Sequence, residues 1–533
     1  MRNDDWFLTP KERGNSATTI DARGGESVSW TEGNRVTCHV DGVSYFTTLA
    51  EVIESLEAHD EIRFADWRGD ADQRISEDGT SIVTLLVRSI ERGVDVRALL
   101  WRSHSDRIGF NSKENARLSI EITEAGGEAL LDERVRRGGS HHQKMVLIRH
   151  PSRLEHDVSF IGGIDLGHGR RDHSDHRGDG QVIKLDPRYG PQPPWHDVQL
   201  EVRGPAVGDL DFTFRERWDD PTALNHAGRL RALASRVTSR DRVARPLPLQ
   251  LADPPRAGGH AVQVLRTYPT RRPRYPFAPE GERSIARAFA KALERARTLI
   301  YVEDQYFWSV EIATLLADAL RRQPHLQVVG VVPRFPDKDG RFSGPPSRFA
   351  QARAIAIVKS AGGDRVGIYD IENDAGTPIY VHAKVCVIDD VWATVGSDNL
   401  NRRSWTHDSE LSCAVIDSQL DDRIPLDPGG LGDGSRRFAR DLRLSLWAEH
   451  LGMSPSAPEL LDVANGAALW RKVARELGDK TTNADVQGAG RGRVRLHETE
   501  PVSSANRRWA SLAYRLIFDP DGRPLAFRIR RRF

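Results

Sequence analysis

Residues 141–148 read HHQKMVLI, and residues 381–389 read VHAKVCVID. Each stretch is a His-x-Lys triplet followed by four apolar residues, and a short apolar run of this kind is typical of a buried strand. Because alternate side chains of a strand lie on the same face, we expect His142 to share a face with Lys144, and His382 to share a face with Lys384. The repetition predicts an internally duplicated fold.

The segments that precede the two triplets also correspond. Apolar residues spaced by three and four positions predict helices, and short β-branched runs predict strands. The predicted elements alternate between helix and strand and span residues 45–56, 61–67, 82–90 and 94–101 in the first copy, and 285–296, 299–307, 312–320 and 326–332 in the second copy. This alternation predicts an α/β fold in which helices cover the faces of a sheet.

Each copy continues with a second strand that ends in a turn of small residues, at 158–165 and at 392–399. Asp165 and Asn399 occupy matching places in these turns. A carboxylate then follows in each copy, Asp197 within Trp-His-Asp and Glu410 within Asp-Ser-Glu. A carboxylate that accepts a hydrogen bond from one imidazole nitrogen fixes the tautomer and raises the basicity of the other nitrogen, as a nucleophilic histidine requires.

This constellation resembles the phospholipase D superfamily, whose signature HxKxxxxD is present twice. The resemblance runs from about residue 35 to about residue 450 and is closest to the plant-like branch. The segments that carry it are His141 to Lys144, Gly162 to Leu166, Trp195 to Asp197, Glu303 to Phe307 (with Asp304 where Asn is usual), Gly396 to Asn399, and Asp408 to Glu410. One such triplet would be weak evidence, whereas two, each with its turn and its later carboxylate in the same order, are strong evidence.

The resemblance implies an α/β fold with two tandem phospholipase D-like α/β/α sandwich domains, packed with pseudo-two-fold symmetry around one active site. We expect the chain to divide into an N-terminal segment, a first half, a Pro- and Arg-rich linker, a second half and a C-terminal extension, at 1–34, 35–235, 236–259, 260–450 and 451–533. A helix is predicted from Arg437 to Leu451, and residues 480–507 look like loop.

The resemblance also implies a two-step displacement at phosphorus. His142 is then the nucleophile that forms a phosphohistidine, and His382 is the general acid and base, although the reverse assignment stays open. Lys144 and Lys384 bind the non-bridging oxygens, and no metal ion or other cofactor is needed because two lysines neutralise one diester charge. The remaining site residues implied are Asp389, Asp197 and Glu410 as catalytic residues, and Asp165, Ser397 and Asn399 as substrate-binding residues.

The sequence departs from the family signature at Arg149, where the first motif should carry an acid. The second motif is complete through Asp389. In the family this acid mainly supports the structure around the site, so the departure concerns the geometry of the first half more than the roles of His142 and Lys144. Asp157 is a nearby acid that would be able to compensate.

Three functions compete. The first is a phospholipase D-type hydrolase that cleaves phospholipids to phosphatidic acid and an alcohol, and that also transfers the phosphatidyl group if an alcohol replaces water. The second is a nucleic-acid phosphodiesterase with the same two-histidine site, and the third is a scaffold whose first motif is degraded. The formal charge of +1, from 77 basic and 76 acidic residues, provides no global field for nucleic acid, so we expect no nucleic-acid partner.

Other features bear on location and metals. The three cysteines lack CxxC spacing, no signal peptide is evident and no 18-residue apolar run exists, so we expect a cytoplasmic protein that meets a phospholipid substrate from the water side, as a peripheral contact. Fewer than about 40 residues precede the first copy, too few for the calcium-binding docking domain often carried by the plant-like branch, so calcium-dependent docking is not expected.

The stretch 168–176 contains three histidines, and we interpret it as an exposed loop near the active-site mouth rather than as a metal site.

Overall fold

The structure is a computed structural model that describes residues 2–23, 28–102, 112–224, 244–337, 343–481, 493–529 and 533. Within these residues a 16-stranded mixed sheet runs through both copies, and a separate two-stranded sheet pairs β7 with β14. The described strands are β1 Thr31–Val40, β2 Glu61–Asp66, β3 Asp95–Trp101, β4 Glu128–Asp132, β5 Met145–Arg149, β6 Val158–Gly162, β7 Trp195–His196, β8 Val198–Arg203, β9 His260–Tyr268, β10 Glu282–Arg283, β11 Leu299–Glu303, β12 Gln327–Val331, β13 Val366–Ile371, β14 Tyr380–Val381, β15 Val385–Ile388, β16 Trp392–Gly396, β17 Glu410–Asp417 and β18 Val494–Leu496.

The order of strands across the large sheet is symmetric about the contact between β1 and β9. The order is β18-β13-β12-β11-β15-β16-β17-β9-β1-β8-β6-β5-β2-β3-β4, so each strand of one half has a counterpart in the other, apart from β18 and the short β10. The pairing directions match as well, because β2, β3 and β4 are mutually parallel as are β11, β12 and β13, and the motif strands β5 and β15 are antiparallel to β2 and β11. The predicted duplication is confirmed.

Helices cover both faces of the sheet. Those described are α1 Pro10–Arg13, α2 Gly42–Glu54, α3 Ile82–Glu91, α4 Ser112–Glu124, α5 Ala206–Trp218, α6 Ser284–Arg295, α7 Val310–Arg322, α8 Gly344–Gly362, α9 Arg402–Thr406, α10 Arg437–Leu451, α11 Val463–Thr481, α12 Ser504–Ala513 and α13 Leu525–Ile529. On one face α2, α3 and α4 form a core with the first half, and α6, α7 and α8 form a core with the second half. On the opposite face α5, α10 and α11 share one core that spans both halves. The fold is therefore the expected pair of α/β/α layers.

The two ends of the chain pack onto the second half. The side chains of Trp6, Phe7 and Leu8 are buried in the core beneath α6 and α7. Near the other end, β18 adds an antiparallel edge strand to β13, with Leu496 opposite Tyr369. The prediction that residues 480–507 form a loop is therefore wrong for β18 and for the start of α12, since a three-residue strand is too short to show a period in the sequence. Part of the expected linker, residues 236–243, lies outside the described residues.

Among the described helices, none combines the length and the apolar character that crossing a bilayer requires.

Candidate active site

Each His-x-Lys triplet lies just before its strand, at the point where the two halves meet. β5 begins at Met145 and β15 begins at Val385, so the prediction that the triplets are part of these strands is wrong. The reason is that the backbone of each triplet bonds to the other half. The amide of His142 donates to the carbonyl of Ser409 at 2.9 Å, and the amide of His382 donates to the carbonyl of His196 at 2.8 Å.

The two carboxylates that follow the triplets in the sequence cross between the halves. His142 Nδ1 lies 2.9 Å from Glu410 Oε2, and His382 Nδ1 lies 2.6 Å from Asp197 Oδ2. Each histidine is thus held through its Nδ1 atom by a carboxylate from the opposite copy. Gly163 makes room for Asp197, the carboxylate that pairs with His382. A Cβ atom at position 163 would lie 1.9 Å from Asp197 Oδ1.

The two lysines complete one shared cleft. Lys144 Nζ donates to the carbonyl of His142 at 3.3 Å, and Lys384 Nζ donates to the carbonyl of His382 and to Gln305 Oε1, the latter at 3.3 Å. Burial lowers the pKa of both His142 and His382 well below the usual value, and the ammonium groups of both lysines lower each pKa further. A lysine from either half therefore acts on the histidine of the other half, so all four groups belong to a single site.

Burial and the neighbouring charges shift the pKa values of several groups around the two histidines. Because its pKa is lowered, each imidazole is neutral near neutral pH. Burial, assisted by the neighbouring Asp408, raises the pKa of the Glu410 carboxyl to about 8, and burial also raises the pKa of Asp197. Burial lowers the pKa of Lys384 to about 8. Perturbed groups of this kind, gathered in a cleft, are characteristic of catalytic sites.

Comparison with known proteins assigns the chain to a family. The family model described as "Phospholipase D" matches residues 71–311 and 369–482, which is more than half of the chain. The chain belongs to the phospholipase D family. A second family model, "Cardiolipin synthase, PLD-like domain", matches residues 289–424, within the second half.

Curated phospholipases D of plants are among its relatives. "Phospholipase D alpha 2" of Oryza sativa subsp. japonica is 26% identical over 505 residues, which cover 72% of this chain and 59% of the relative. "Phospholipase D alpha 4" of Arabidopsis thaliana is 24% identical, over 73% of this chain and 61% of the relative. The chain thus spans about three fifths of the length of these relatives. A solved phosphatidylserine synthase of Haemophilus influenzae Rd KW20 covers 85% of this chain and 95% of its own, with 13% identity and a TM-score of 0.49.

The acid of the second phospholipase D motif, Asp389, connects two parts of the second half through hydrogen bonds. Asp389 accepts hydrogen bonds from the backbone amides of Arg297, Thr298 and Leu299, at 2.7 to 2.8 Å. It thereby ties the turn after β15 to the start of β11 and does not reach the cleft itself. These contacts accord with the expectation that this acid supports the structure around the site, and its inclusion among the catalytic residues stays a prediction.

Arg149, which replaces the acid in the first phospholipase D motif, is fully buried in a network of ions. Its guanidinium bonds to Asp157 Oδ2 at 2.6 Å and to Asp211 Oδ2 at 3.1 Å, and it also donates to the carbonyl of Ala252 at 2.6 Å. Asp157 does not repeat the contact of Asp389 with an adjoining strand start; it neutralises Arg149 and accepts from the amide of His150. The departure from the family signature is therefore compensated by charge pairing.

The three predicted substrate-binding residues lie near the cleft, with different partners. Ser397 Oγ donates to Glu410 Oε2 at 2.5 Å and so supports the carboxylate that orients His142. Asp165 pairs with Arg170 at 2.8 Å, although its charge still acts on His142 and His382. Asn399 is buried, and no donor among the described residues bonds to its Oδ1 atom. Asp165 and Asn399 are thus not equivalent in their contacts, despite their matching places.

The sequence did not reveal the roles of two further carboxylates, Asp66 and Asp304. Asp66 accepts from the amides of Trp67 and Leu166, and Asp304 accepts from those of Tyr306, Phe307 and Leu400. Each carboxylate holds the small-residue turn of its own half against the end of the first strand. Their matching positions, at the ends of β2 and β11, are the signal by which they could have been found.

Aromatic rings form the walls next to the histidines. Trp67 meets His142 edge-on, with ring centroids 5.9 Å apart. The ring centroids of Trp195 and His382 are 4.8 Å apart. Arg402 and Arg403 follow the small-residue turn of the second half. They bond to Asp519, and Arg403 also binds Asp408, so they fasten the C-terminal extension beside the site.

The histidine-rich stretch 168–176 is irregular, as expected, but much of it is not exposed. Arg170, Asp172 and His176 are buried, whereas His173 is exposed. Arg170 lies over the ring of Trp195 at 4.2 Å. The predicted exposure is wrong because charged residues of this stretch are paired with buried acids, and a charged composition alone does not reveal such pairing.

Proposed function

We propose that this chain is a phospholipase D-type phosphodiesterase that hydrolyses phospholipids to phosphatidic acid and an alcohol. The single observation that carries the proposal is the crossed pairing, in which His142 binds Glu410 and His382 binds Asp197 beside two lysines. A diester has one negative charge, and two buried ammonium groups can hold it without a metal ion. The plant relatives, which are phospholipases D by name, support a phospholipid as substrate.

The first step is displacement of the alcohol. Nε2 of His142 attacks phosphorus and forms a P–N bond as the P–O bond to the alcohol breaks, and Nε2 of protonated His382 gives its proton to the leaving oxygen. We assign the nucleophile to His142 because its side chain is 14% exposed, compared with 7% for His382. The anionic substrate counteracts the positive charges that lower the pKa of His382, so binding favours the protonated acid.

The second step releases phosphatidic acid. Neutral His382 takes a proton from water as the water oxygen attacks phosphorus, and the P–N bond to His142 breaks. An alcohol in place of water transfers the phosphatidyl group to that alcohol. Acid and base assistance of this kind contributes about 10²–10⁴ in rate.

Contact with a lipid surface belongs to the same proposal. The C-terminal extension exposes the apolar side chains of Leu512, Leu516, Ile517, Leu525 and Ile529. Arg403 links this surface to the site, since its guanidinium binds both the carbonyl of Ile517 at 3.1 Å and Asp408 at 2.6 Å. The exposed Arg507, Arg508 and Arg515 add positive charge, and apolar side chains among cations favour binding to an anionic membrane surface.

An activity screen tests the function. Wild type, His142→Ala and His382→Ala are assayed for release of phosphatidic acid from phosphatidylcholine vesicles and for cleavage of single-stranded DNA. We expect phospholipid turnover by the wild type alone, with both variants folded by circular dichroism. DNA cleavage without phospholipid turnover, together with a steep dependence on salt, would instead identify a nuclease. No turnover of either substrate would contradict the proposal.

A further inference from the structure

A second group of histidines and carboxylates lies behind the catalytic carboxylate Asp197, and the proposed chemistry does not use it. Its four members are Asp41, His176, His196 and Glu449. Each offers one nitrogen or oxygen atom, and these atoms all lie within 4.8 Å of one another. The members come from separate parts of the chain, so the fold alone brings them together.

The outward nitrogen of each histidine already has an acceptor. His176 Nδ1 lies 3.1 Å from the carbonyl oxygen of Trp195, and His196 Nε2 lies 2.8 Å from Glu303 Oε2. A neutral imidazole that donates from one nitrogen carries a lone pair on the other. In their neutral forms, which a metal ion would select, the inward atoms His176 Nε2 and His196 Nδ1 present lone pairs to the centre of the group.

The inward atoms face carboxylate oxygens, which are also acceptors. His176 Nε2 lies 3.1 Å from Glu449 Oε1, and His196 Nδ1 lies 3.3 Å from the same oxygen and 3.2 Å from Asp41 Oδ1. Asp41 is buried, and among the described residues no donor bonds to its Oδ2 atom, which is 4.0 Å from His176 Nε2. Positive charge must therefore lie among these four groups, either on a bound cation or on protonated imidazoles.

We propose that Asp41, His176, His196 and Glu449 bind a structural zinc ion. Tetrahedral zinc with bonds of about 2.0–2.1 Å to nitrogen and oxygen places its ligand atoms roughly 3.3 Å apart, close to the separations just given. Two imidazoles among the ligands favour zinc over calcium and magnesium, which select oxygen ligands. The two carboxylates offset the charge of a divalent ion, and four protein ligands leave no open position for chemistry.

The surroundings also suit a zinc site. Glu303 fixes the orientation of His196 from behind, and it also accepts from His450 Nε2 at 2.8 Å, so its own position is fixed in turn. Carboxylates that bind the distal nitrogen of a ligating histidine are common in zinc proteins. Glu449 lines a cavity of about 460 Å³, together with Ser174 and Gly452, and this cavity provides a route for the ion.

The ion would hold the segment that orients His382. The amide of Asp41 donates to the carbonyl of Asp197 at 2.9 Å, and the carbonyl of His196 accepts from the amide of His382 at 2.8 Å. Zinc would therefore act on the site by positioning Asp197, without touching the substrate. The expectation that the phosphoryl chemistry needs no metal is a separate claim and is unaffected.

Metal analysis of the untagged full chain, produced in zinc-supplemented medium and then desalted, tests the proposal. We expect about one zinc per chain in the wild type and in the control His173→Asn, whose histidine is exposed in the same stretch. His176→Asn and Glu449→Gln should lose most of this zinc. Removal of zinc from the wild type by a chelator should lower Tm by roughly 3–10 °C, and added zinc should restore it.

Cobalt provides a test that does not depend on the folding of the variants. Cobalt(II) added to the metal-free wild type should give the intense visible absorption of a four-coordinate ion, and zinc should abolish that absorption. A wild type that contains no zinc and gains no Tm from added zinc would overturn the proposal, and the group would then be a network of imidazolium and carboxylate ions. Zinc retained by His176→Asn at the level of the control would overturn it as well. Neither readout uses activity, so failure here is distinct from failure of the phosphodiesterase.

Discussion

The charge of Lys384 depends on its surroundings in the site. Its side chain is buried beside the ammonium group of Lys144, and burial, assisted by that charge, lowers its pKa to about 8. The carboxylates of Asp197, Asp304 and Glu410 act in the opposite direction but do not cancel the effect. Only the protonated form can bind a non-bridging oxygen of the diester as a cation.

The pH dependence of kcat/KM follows from the pKa of Lys384, which is about 8. The ammonium form of Lys384 predominates below pH 8 and is lost above it, so we expect kcat/KM to fall about tenfold per pH unit on the alkaline side. In Lys384→Arg, whose guanidinium stays protonated, this alkaline limb should move up by about 2 units or disappear. The measurement is a pH profile of kcat/KM with a soluble short-chain phospholipid. An unchanged alkaline limb in the variant would show that Lys384 is not the group that titrates.

At the scale of elements, the end of β5 shows how a reversed charge is accommodated. In the second half, Asp389 binds backbone amides at the start of β11, whereas in the first half Arg149 is held between Asp157 and Asp211. The family's acid is thus absent from one motif without an unpaired charge being left in the core. Breaking a buried ion pair by removing one partner is strongly destabilising, because it leaves an uncompensated charge in the core.

Restoring the family's acid should therefore destabilise the protein. Arg149→Asp would place a third carboxylate against Asp157 and Asp211, and we expect a loss of about 3–5 kcal/mol in the free energy of unfolding. The measurement is urea unfolding followed by fluorescence, with Arg137→Asp as the control because Arg137 is exposed. A variant as stable as the control would contradict this view of the network.

The C-terminal extension gives a second prediction at this scale. Leu516→Glu combined with Ile517→Glu should lower turnover of phosphatidylcholine vesicles by about tenfold, because insertion into the interface loses apolar area and gains charge. Turnover of a monomeric short-chain phospholipid should be unchanged. Leu249→Glu, at an apolar residue that is 93% exposed elsewhere, is the matched control. Equal loss on both substrates would place the effect in the site and not at the membrane.

Regular elements were predictable where their apolar pattern was long. The helix α10 was predicted with its observed bounds, Arg437–Leu451, and the four elements predicted before each motif were found within a few residues. The elements α4, β4, α8 and β13, which also precede the motifs, were not predicted. The triplets were wrongly placed in strands, because the hydrogen bonds that draw them out come from the opposite half and leave no local pattern. The burial of His176 was missed for the same reason, since its partner Glu449 is far away in the sequence.

At the scale of the whole molecule, the two halves exchange their orienting groups. Chain order places Asp197 with His142 and Glu410 with His382, but the structure pairs Glu410 with His142 and Asp197 with His382. The residues of the site were predictable because each half repeats the same motifs, whereas this crossing depends on how the halves face each other across β1 and β9. Neither half alone contains a complete histidine–carboxylate pair of the site.

The crossing is tested most directly by trapping the covalent intermediate on a substrate whose leaving group is p-nitrophenol. This leaving group needs no acid, so the first step should proceed without His382, whereas the second step should still need it as a base. We expect Asp197→Asn and His382→Asn alike to accumulate a phosphorylated His142, detected by mass spectrometry after rapid quenching, and Glu410→Gln to accumulate none. An adduct that forms in Glu410→Gln but not in Asp197→Asn, or one located on His382, would contradict the account.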